Sequence, residues 1–246
     1  MVATSSSSTG SRVPSVIKRI GDHLTIVGVA HVLPRSAEEA GKIITSERPD
    51  IVAVELDPAR YLALTKGSRL NLVEALRAGP SVMLLTALIF LIQNRFSRQT
   101  GVEAGEEMLV AIQKAREVGA QVQLIDRDIG ITLNRLVTAM PTREKLRLFG
   151  QLFLGLLPGG KKVTLESLTD EQVVENLLTE FRGLSARAYE VLITERDQYM
   201  AARLITLLLS GKKIVCVVGA GHVPGIYERL SRMLSGSWSL TLEYRA

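Results

Sequence analysis

The sequence predicts an α/β fold: a central, mostly parallel β-sheet flanked by helices and carrying a large helical insertion. Three observations predict it. Four short runs are almost continuously apolar, as strands buried on both faces are. Amphipathic stretches alternate with these runs, the pattern of a parallel sheet with helical crossovers. No strand-like run occurs over about 129–210, although helical periodicity continues there.

Residues 1–13 include Ser5, Ser6, Ser7 and Ser8 and almost nothing apolar. They read as a flexible tail and lack the apolar segment of a signal peptide. Residues 14–246 are read as one domain. Its first strand is Leu24–Val29 (LTIVGV). A helix over Ser36–Glu47 follows, opened by the capping-box pair Ser36 and Glu39. The second strand is Ile51–Leu56 (IVAVEL). A helix over Gly105–Val118 stops at Gly119, and the third strand is Val122–Ile125 (VQLI). Asp170–Phe181 and Ser185–Leu209 read as long amphipathic helices. The fourth strand, Ile214–Val218 (IVCVV), precedes a helix over Val223–Leu234. Ser239–Tyr244 (SLTLEY) alternates and is expected as an edge strand.

Composition narrows the function classes. Hydrophobic residues at 46% and charged residues at 22% exclude a disordered or collagen-like chain. Aromatics at 4% argue against a surface that stacks bases. The single cysteine, Cys216, excludes a disulfide framework and a cysteine-cluster metal site. The net charge of +5 is spread among acidic residues, so an ordinary solvated surface is expected and nucleic acid is not. Val82–Ile92 carries no charge, but its eleven residues rise only about 17 Å as a helix against a roughly 30 Å hydrocarbon core. Leu148–Leu157 is shorter still. Neither spans a membrane. Both are expected as core helices, a homodimer interface or a membrane-docking surface.

The candidate chemistry sits at strand ends. Gly28-Val29-Ala30-His31-Val32 follows the first strand, and Gly219-Ala220-Gly221-His222-Val223 follows the fourth. In open α/β sheets functional groups gather at the carboxyl ends of strands. Two imidazoles delivered in this way, joined by a carboxylate, make a site for zinc, manganese, cobalt or iron. His23 lies at the opposite end of its strand and reads as structural. Glu55 lies within an apolar run, on the strand face of Ala53 and Asp57. A carboxylate there must be paired or metal-bound. Asp57 suits a helix N-cap before Pro58. Asp126-Arg127-Asp128 closes the third strand. Asp128 caps the following helix or serves the site, and Arg127 could pair with Glu55 or hold an oxyanion. Glu195-Arg196-Asp197 lies mid-helix, where a charged triplet is ordinarily solvated.

Taken together, these motifs resemble the TraB family (TraB/PrgY), within the wider TraB–GumN–Tiki superfamily. The matching segments are GVAH (Gly28–His31), RPDIVAVELDPARY (Arg48–Tyr61), GEEMLVAIQKAREVGAQVQLIDRDI (Gly105–Ile129), ERDQYMA (Glu195–Ala201) and VVGAGHVPGI (Val217–Ile226). The resemblance implies signature residues His31, Glu55, Arg196 and His222, and a fold like that of erythromycin-esterase-like and ChaN-like proteins. It also implies links to metal-dependent proteolysis, as in Tiki members, and to pheromone shutdown. Many archaeal and bacterial members carry transmembrane helices after this domain. The chain is therefore expected in the cytoplasm, or at a membrane through segments absent from it.

The leading expectation is a hydrolase, a peptidase, dependent on a divalent metal (Mn, Co, Zn or Fe) held by His31, Glu55 and His222. Arg196 would stabilise an oxyanion or hold a substrate carboxylate. Asp128 or Glu106 would be the general base, or Glu55 itself. The alternatives are a non-catalytic peptide-binding or regulatory domain, and metal-free hydrolysis by His31 and Glu55. Expected partners are a peptide or small-molecule substrate and a second copy in a homodimer.

Overall fold

A computed structural model of the chain describes residues 16–29, 34–66, 105–155 and 171–243. The apolar runs become strands β2 (Leu24–Val29), β3 (Ile51–Val54), β4 (Gln121–Leu124) and β5 (Ile214–Gly219), joined by β1 (Val16–Ile20). They form one sheet in the order β1-β2-β5-β3-β4. β2, β5, β3 and β4 are parallel, and β1 is antiparallel to β2.

The helices are α1 (Pro34–Glu47), α2 (Pro58–Lys66), α3 (Glu106–Glu117), α4 (Ile129–Ala139), α5 (Thr142–Gly155), α6 (Glu171–Leu184), α7 (Ala186–Tyr189), α8 (Glu195–Leu208) and α9 (Val223–Glu243). A π-helical turn, Glu190–Thr194, joins α7 to α8, and a 3-10 turn, Ala220–His222, joins β5 to α9. Every element described between β4 and β5 is helical, as the expected insertion requires.

Period-two alternation splits the sheet into two packed faces. Ile26, Ile51, Ala53, Ile214, Cys216 and Val218 pack with Met200 and Leu204 of α8 and with Val223, Ile226 and Leu230 of α9. Val27, Val29, Val52, Val54, Val215 and Val217 pack with Ala40 and Ile44 of α1 and with Met108, Ala111 and Ile112 of α3. Burying each such Val, Leu or Ile contributes about 1.5–3 kcal/mol. Glu55 continues the Ile51–Ala53 face, the face covered by α8 and α9. A smaller cluster of Leu133, Leu136, Met140, Ala188 and Val191 holds the insertion together.

Two expectations are corrected. Ser239–Tyr244 is not an edge strand: α9 continues to Glu243. So short an alternation is compatible with either period. The edge beside β2 belongs instead to β1, which adjoins the polar tail and carries Lys18 and Arg19, and was not foreseen. Gly21, at φ +53°, turns the chain from β1 into β2. The apolar stretch Val82–Ile92 lies outside the described residues. Leu148–Leu157 falls partly within α5, which ends at Gly155. Among the described residues no helix is long and apolar enough to cross a membrane.

Candidate functional site

Three adjacent strands end at one edge and each delivers a polar residue just beyond its last paired position. β3 leads to Glu55, β4 to Asp126 and β5, through the 3-10 turn, to His222. All three are buried, at 4%, 4% and 5% exposure, so each must find a partner. α8 crosses the same edge and supplies the partners, Arg196 and Asp197. The π-helical turn stands immediately before this charged triplet and resets the phase of the helix, as such turns do near functional sites.

Arg196 organises the cluster. Its Nε donates to Asp126 Oδ1 at 3.1 Å and its Nη2 to Asp126 Oδ2 at 2.6 Å. Nη2 also donates to Glu55 Oε1. Nη1 donates to the carbonyl of Leu192 at 3.2 Å and to His222 Nε2 at 3.0 Å. These bonds use all of the guanidinium's five N–H groups. Burial opposes the charge of Arg196, but Glu55 and Asp126 outweigh it and hold the group protonated above the ordinary arginine range.

The guanidinium also fixes the tautomer of His222. An arginine only donates, so Nε2 must be the accepting nitrogen and Nδ1 carries the proton. Nδ1 then donates to Asp197 Oδ1 at 2.6 Å. Nε2 lies 3.4 Å from Glu55 Oε1. Glu55 Oε2 accepts the backbone N–H of Gly219 at 2.6 Å, which ties the carboxylate to the end of β5. Burial pushes the Asp197 carboxyl above the ordinary aspartate value, while His222 and Arg229 pull it back.

The sequence profile of the TraB/PrgY/gumN family matches residues 16–235. The chain belongs to this family. Among similar proteins, an uncharacterized protein of Methanocaldococcus jannaschii is 36% identical over 218 residues, covering 86% of this chain and 54% of the relative. TraB domain-containing proteins of Bos taurus and Homo sapiens are 28% and 27% identical, covering 87% and 91% of this chain and 64% and 66% of themselves. The chain therefore spans between about half and two thirds of the length of these relatives.

Of the site residues expected from the resemblance, the structure brings together Glu55, Arg196 and His222. His31 lies outside the described residues. β2, which precedes it in sequence, lies beside β5 with Val29 opposite Gly219, so the two strands end at one edge. Asp128 stands apart from the cluster: it is exposed and caps α4, accepting the Ile131 N–H at 3.1 Å. Glu106 is exposed in the first turn of α3. Arg127 does not meet Glu55. It pairs with Glu195 at 2.6 Å and donates to the Val191 carbonyl, because the residue after Asp126 faces the insertion instead of the cluster. Asp57 caps α2 as expected, accepting from the Ala59 and Arg60 N–H groups. Its other oxygen pairs with Arg60 at 2.6 Å, and Arg60 also bonds Asp126. His23 is exposed, and its carbonyl accepts from the Ile214 N–H at the far end of the sheet.

Sequence reasoning missed Asp126 and Asp197. Asp126 is the first carboxylate after the apolar VQLI run, the position Glu55 holds near the end of its own strand. Asp197 had no local signal beyond its neighbour Arg196. Cys216 is buried under this site, and burial with the nearby Glu55 charge pushes its thiol far up, so it is no nucleophile.

Glu55 and His222 are donor types that divalent cations take, and Oε1 and Nε2 lie 3.4 Å apart. A neutral imidazole nitrogen whose other nitrogen is held by a carboxylate is a common metal ligand. Metal–ligand bonds of about 2.1 Å put two donors of a tetrahedral shell about 3.4 Å apart. Among the described residues the carboxylates Asp57, Glu55, Asp126 and Asp197 meet the guanidinium groups of Arg60, Arg196 and Arg229. Nε2 has a single lone pair, however, and Arg196 holds it; a metal at Nε2 requires Nη1 to withdraw. Among the described residues no group of three His, Cys, Asp or Glu side chains is arranged to hold a metal.

Proposed function

We propose that this TraB-family chain is a hydrolase acting on peptide bonds, with its reacting centre at Glu55 and His222. The observation that supports it most is the 3.4 Å approach of His222 Nε2 to Glu55 Oε1, between two buried groups at the carboxyl edge of a parallel sheet. Such an approach is maintained at a cost in desolvation that a purely structural pair could avoid with apolar residues.

In this reading His222 Nε2, 3.4 Å from Glu55 Oε1, becomes available when Arg196 Nη1 withdraws from it. Arg196 and the Gly219 N–H both donate to Glu55 and hold its two oxygens in place. Arg196 has no N–H left for an oxyanion, so in this arrangement it holds Glu55 and His222 in register. His222 and Glu55, with His31 as third donor, would hold a divalent metal. A bound metal acidifies water and polarises a carbonyl. A second reading is hydrolysis without metal, in which His222 takes a proton from water; it too requires Arg196 Nη1 to release Nε2.

The test is cleavage of a peptide library and of simple esters by the chelated chain, and by the chain reloaded with Mn, Co, Zn or Fe. Cleavage only after reloading supports the metal reading, and cleavage by the chelated chain supports the second. No cleavage in either state overturns hydrolysis and leaves a peptide-binding or regulatory domain.

A further inference from the structure

α8 delivers two consecutive residues to the two ring nitrogens of His222. Arg196 reaches Nε2 at 3.0 Å and Asp197 reaches Nδ1 at 2.6 Å. The two are complementary in chemistry: a group that only donates meets the nitrogen that must accept, and a carboxylate meets the nitrogen that must donate. Asp197 is buried at 2% exposure, and the described residues show a specific reason why it fits. Gly225 lies in the first turn of α9, and a Cβ built there would overlap Asp197 Oδ2 and come within 2.8 Å of its Cγ. The carboxylate occupies the place of a missing side chain. Arg229 completes the slot: its Nη1 donates to the Gly225 carbonyl at 3.0 Å and lies 3.9 Å from Asp197 Oδ2.

We propose that Asp197 is a positioning residue for His222, and that Gly225 is the slot that admits it. Asp197 keeps the ring proton on Nδ1 and so keeps Nε2, the atom 3.4 Å from Glu55 Oε1, as the accepting nitrogen. Gly225 is required because any larger residue evicts the carboxylate. The functional meaning rests on the reading of His222 Nε2 as a reacting atom; the geometry itself is tested without activity.

The experiment is side-chain NMR of the full chain with nitrogen-labelled histidine, after chelation, with His222 assigned through a His222→Gln variant. His222 should show a protonated Nδ1, an unprotonated Nε2 and a low-field, slowly exchanging Nδ1 proton. In Asp197→Asn that proton should move upfield and exchange faster. In Gly225→Ala, which touches neither ring nitrogen, it should be lost while the backbone spectrum stays folded. If Asp197→Asn fails to fold, Gly225→Ala and the unmodified chain decide the matter. A proton on Nε2 in the unmodified chain would overturn the proposal, as would an unchanged Nδ1 proton in Gly225→Ala. Where a substrate is cleaved, turnover in both variants should fall about 10–100-fold. The NMR signature without any cleavage would support the positioning of His222 and count against hydrolysis.

Discussion

Asp126 and Arg196 form a two-point ion pair between the end of β4 and the first turn of α8, with Nε on Oδ1 and Nη2 on Oδ2. The parallel fork needs a planar guanidinium; a lysine ammonium is a point charge and cannot span both oxygens while also reaching Glu55, Leu192 and His222. This one side chain fastens the helical insertion to the sheet at the candidate site.

Replacing Arg196 should therefore cost stability as well as any activity. Arg196→Ala leaves Glu55 and Asp126 buried without their shared cation and should destabilise the chain by about 3–5 kcal/mol. Arg196→Lys should recover only part of that loss. Adding Asp126→Asn to Arg196→Ala should restore little of it, because Asp126 keeps Arg60 as a partner. Urea denaturation measures all three, and a loss below about 1 kcal/mol for Arg196→Ala, the level of an exposed ion pair, would contradict the arrangement.

The glycines of the second and fifth strand motifs should respond differently. A Cβ on Gly28 would meet Val223 Cγ2 at 2.8 Å, the Ala220 Cα at 3.1 Å and Val16 Cβ at 3.2 Å. Gly28→Ala should cost about 1–3 kcal/mol through overpacking. Among the described residues a Cβ on Gly221 would meet only Leu178 Cδ2, at an ordinary 3.5 Å. Gly221→Ala should stay within about 0.5 kcal/mol. Thermal melts of the two variants check the contrast, and equal losses would contradict it.

Glu195 should contribute to acid sensitivity. Its hydrogen bond to Arg135 and the pairing with Arg127 hold its carboxyl below the ordinary glutamate value, against the effect of burial. A carboxyl lowered in the folded state adds stability above its unfolded value and loses it as pH falls through the folded value. Glu195→Gln should therefore be less stable than the unmodified chain at pH 7, and the gap should close as pH falls below the ordinary glutamate range. Denaturation midpoints across that range would contradict this if the gap stayed constant.

Much of this was legible in local pattern. β2 and β5 were readable because burial on both faces leaves nearly unbroken apolar runs, and β2 matches its expected bounds, Leu24–Val29. The side of the sheet taken by Glu55 followed from period two, counted from Ile51 and Ala53. What could not be read was distance across the chain. In Asp126-Arg127-Asp128 the cap role of Asp128 was among the readings offered, but only the packing of α8 shows that Asp126 turns to the cluster and Arg127 to Glu195. Asp197 looked like a solvated residue because nothing near it in sequence announces the Gly225 slot. The same limit hid β1, an edge strand whose alternating residues follow a polar tail.

Glu55 and His222 are the residues proposed to carry the chemistry. The most direct measurement is the rate of cleavage of a peptide that the unmodified chain hydrolyses, compared with Glu55→Gln and His222→Gln under identical metal conditions. Both substitutions keep the side chain near its native size. Each should lower kcat/KM by about 100-fold or more while the circular dichroism spectrum stays that of the folded chain. Cleavage at the unmodified rate by either folded variant would contradict the assignment.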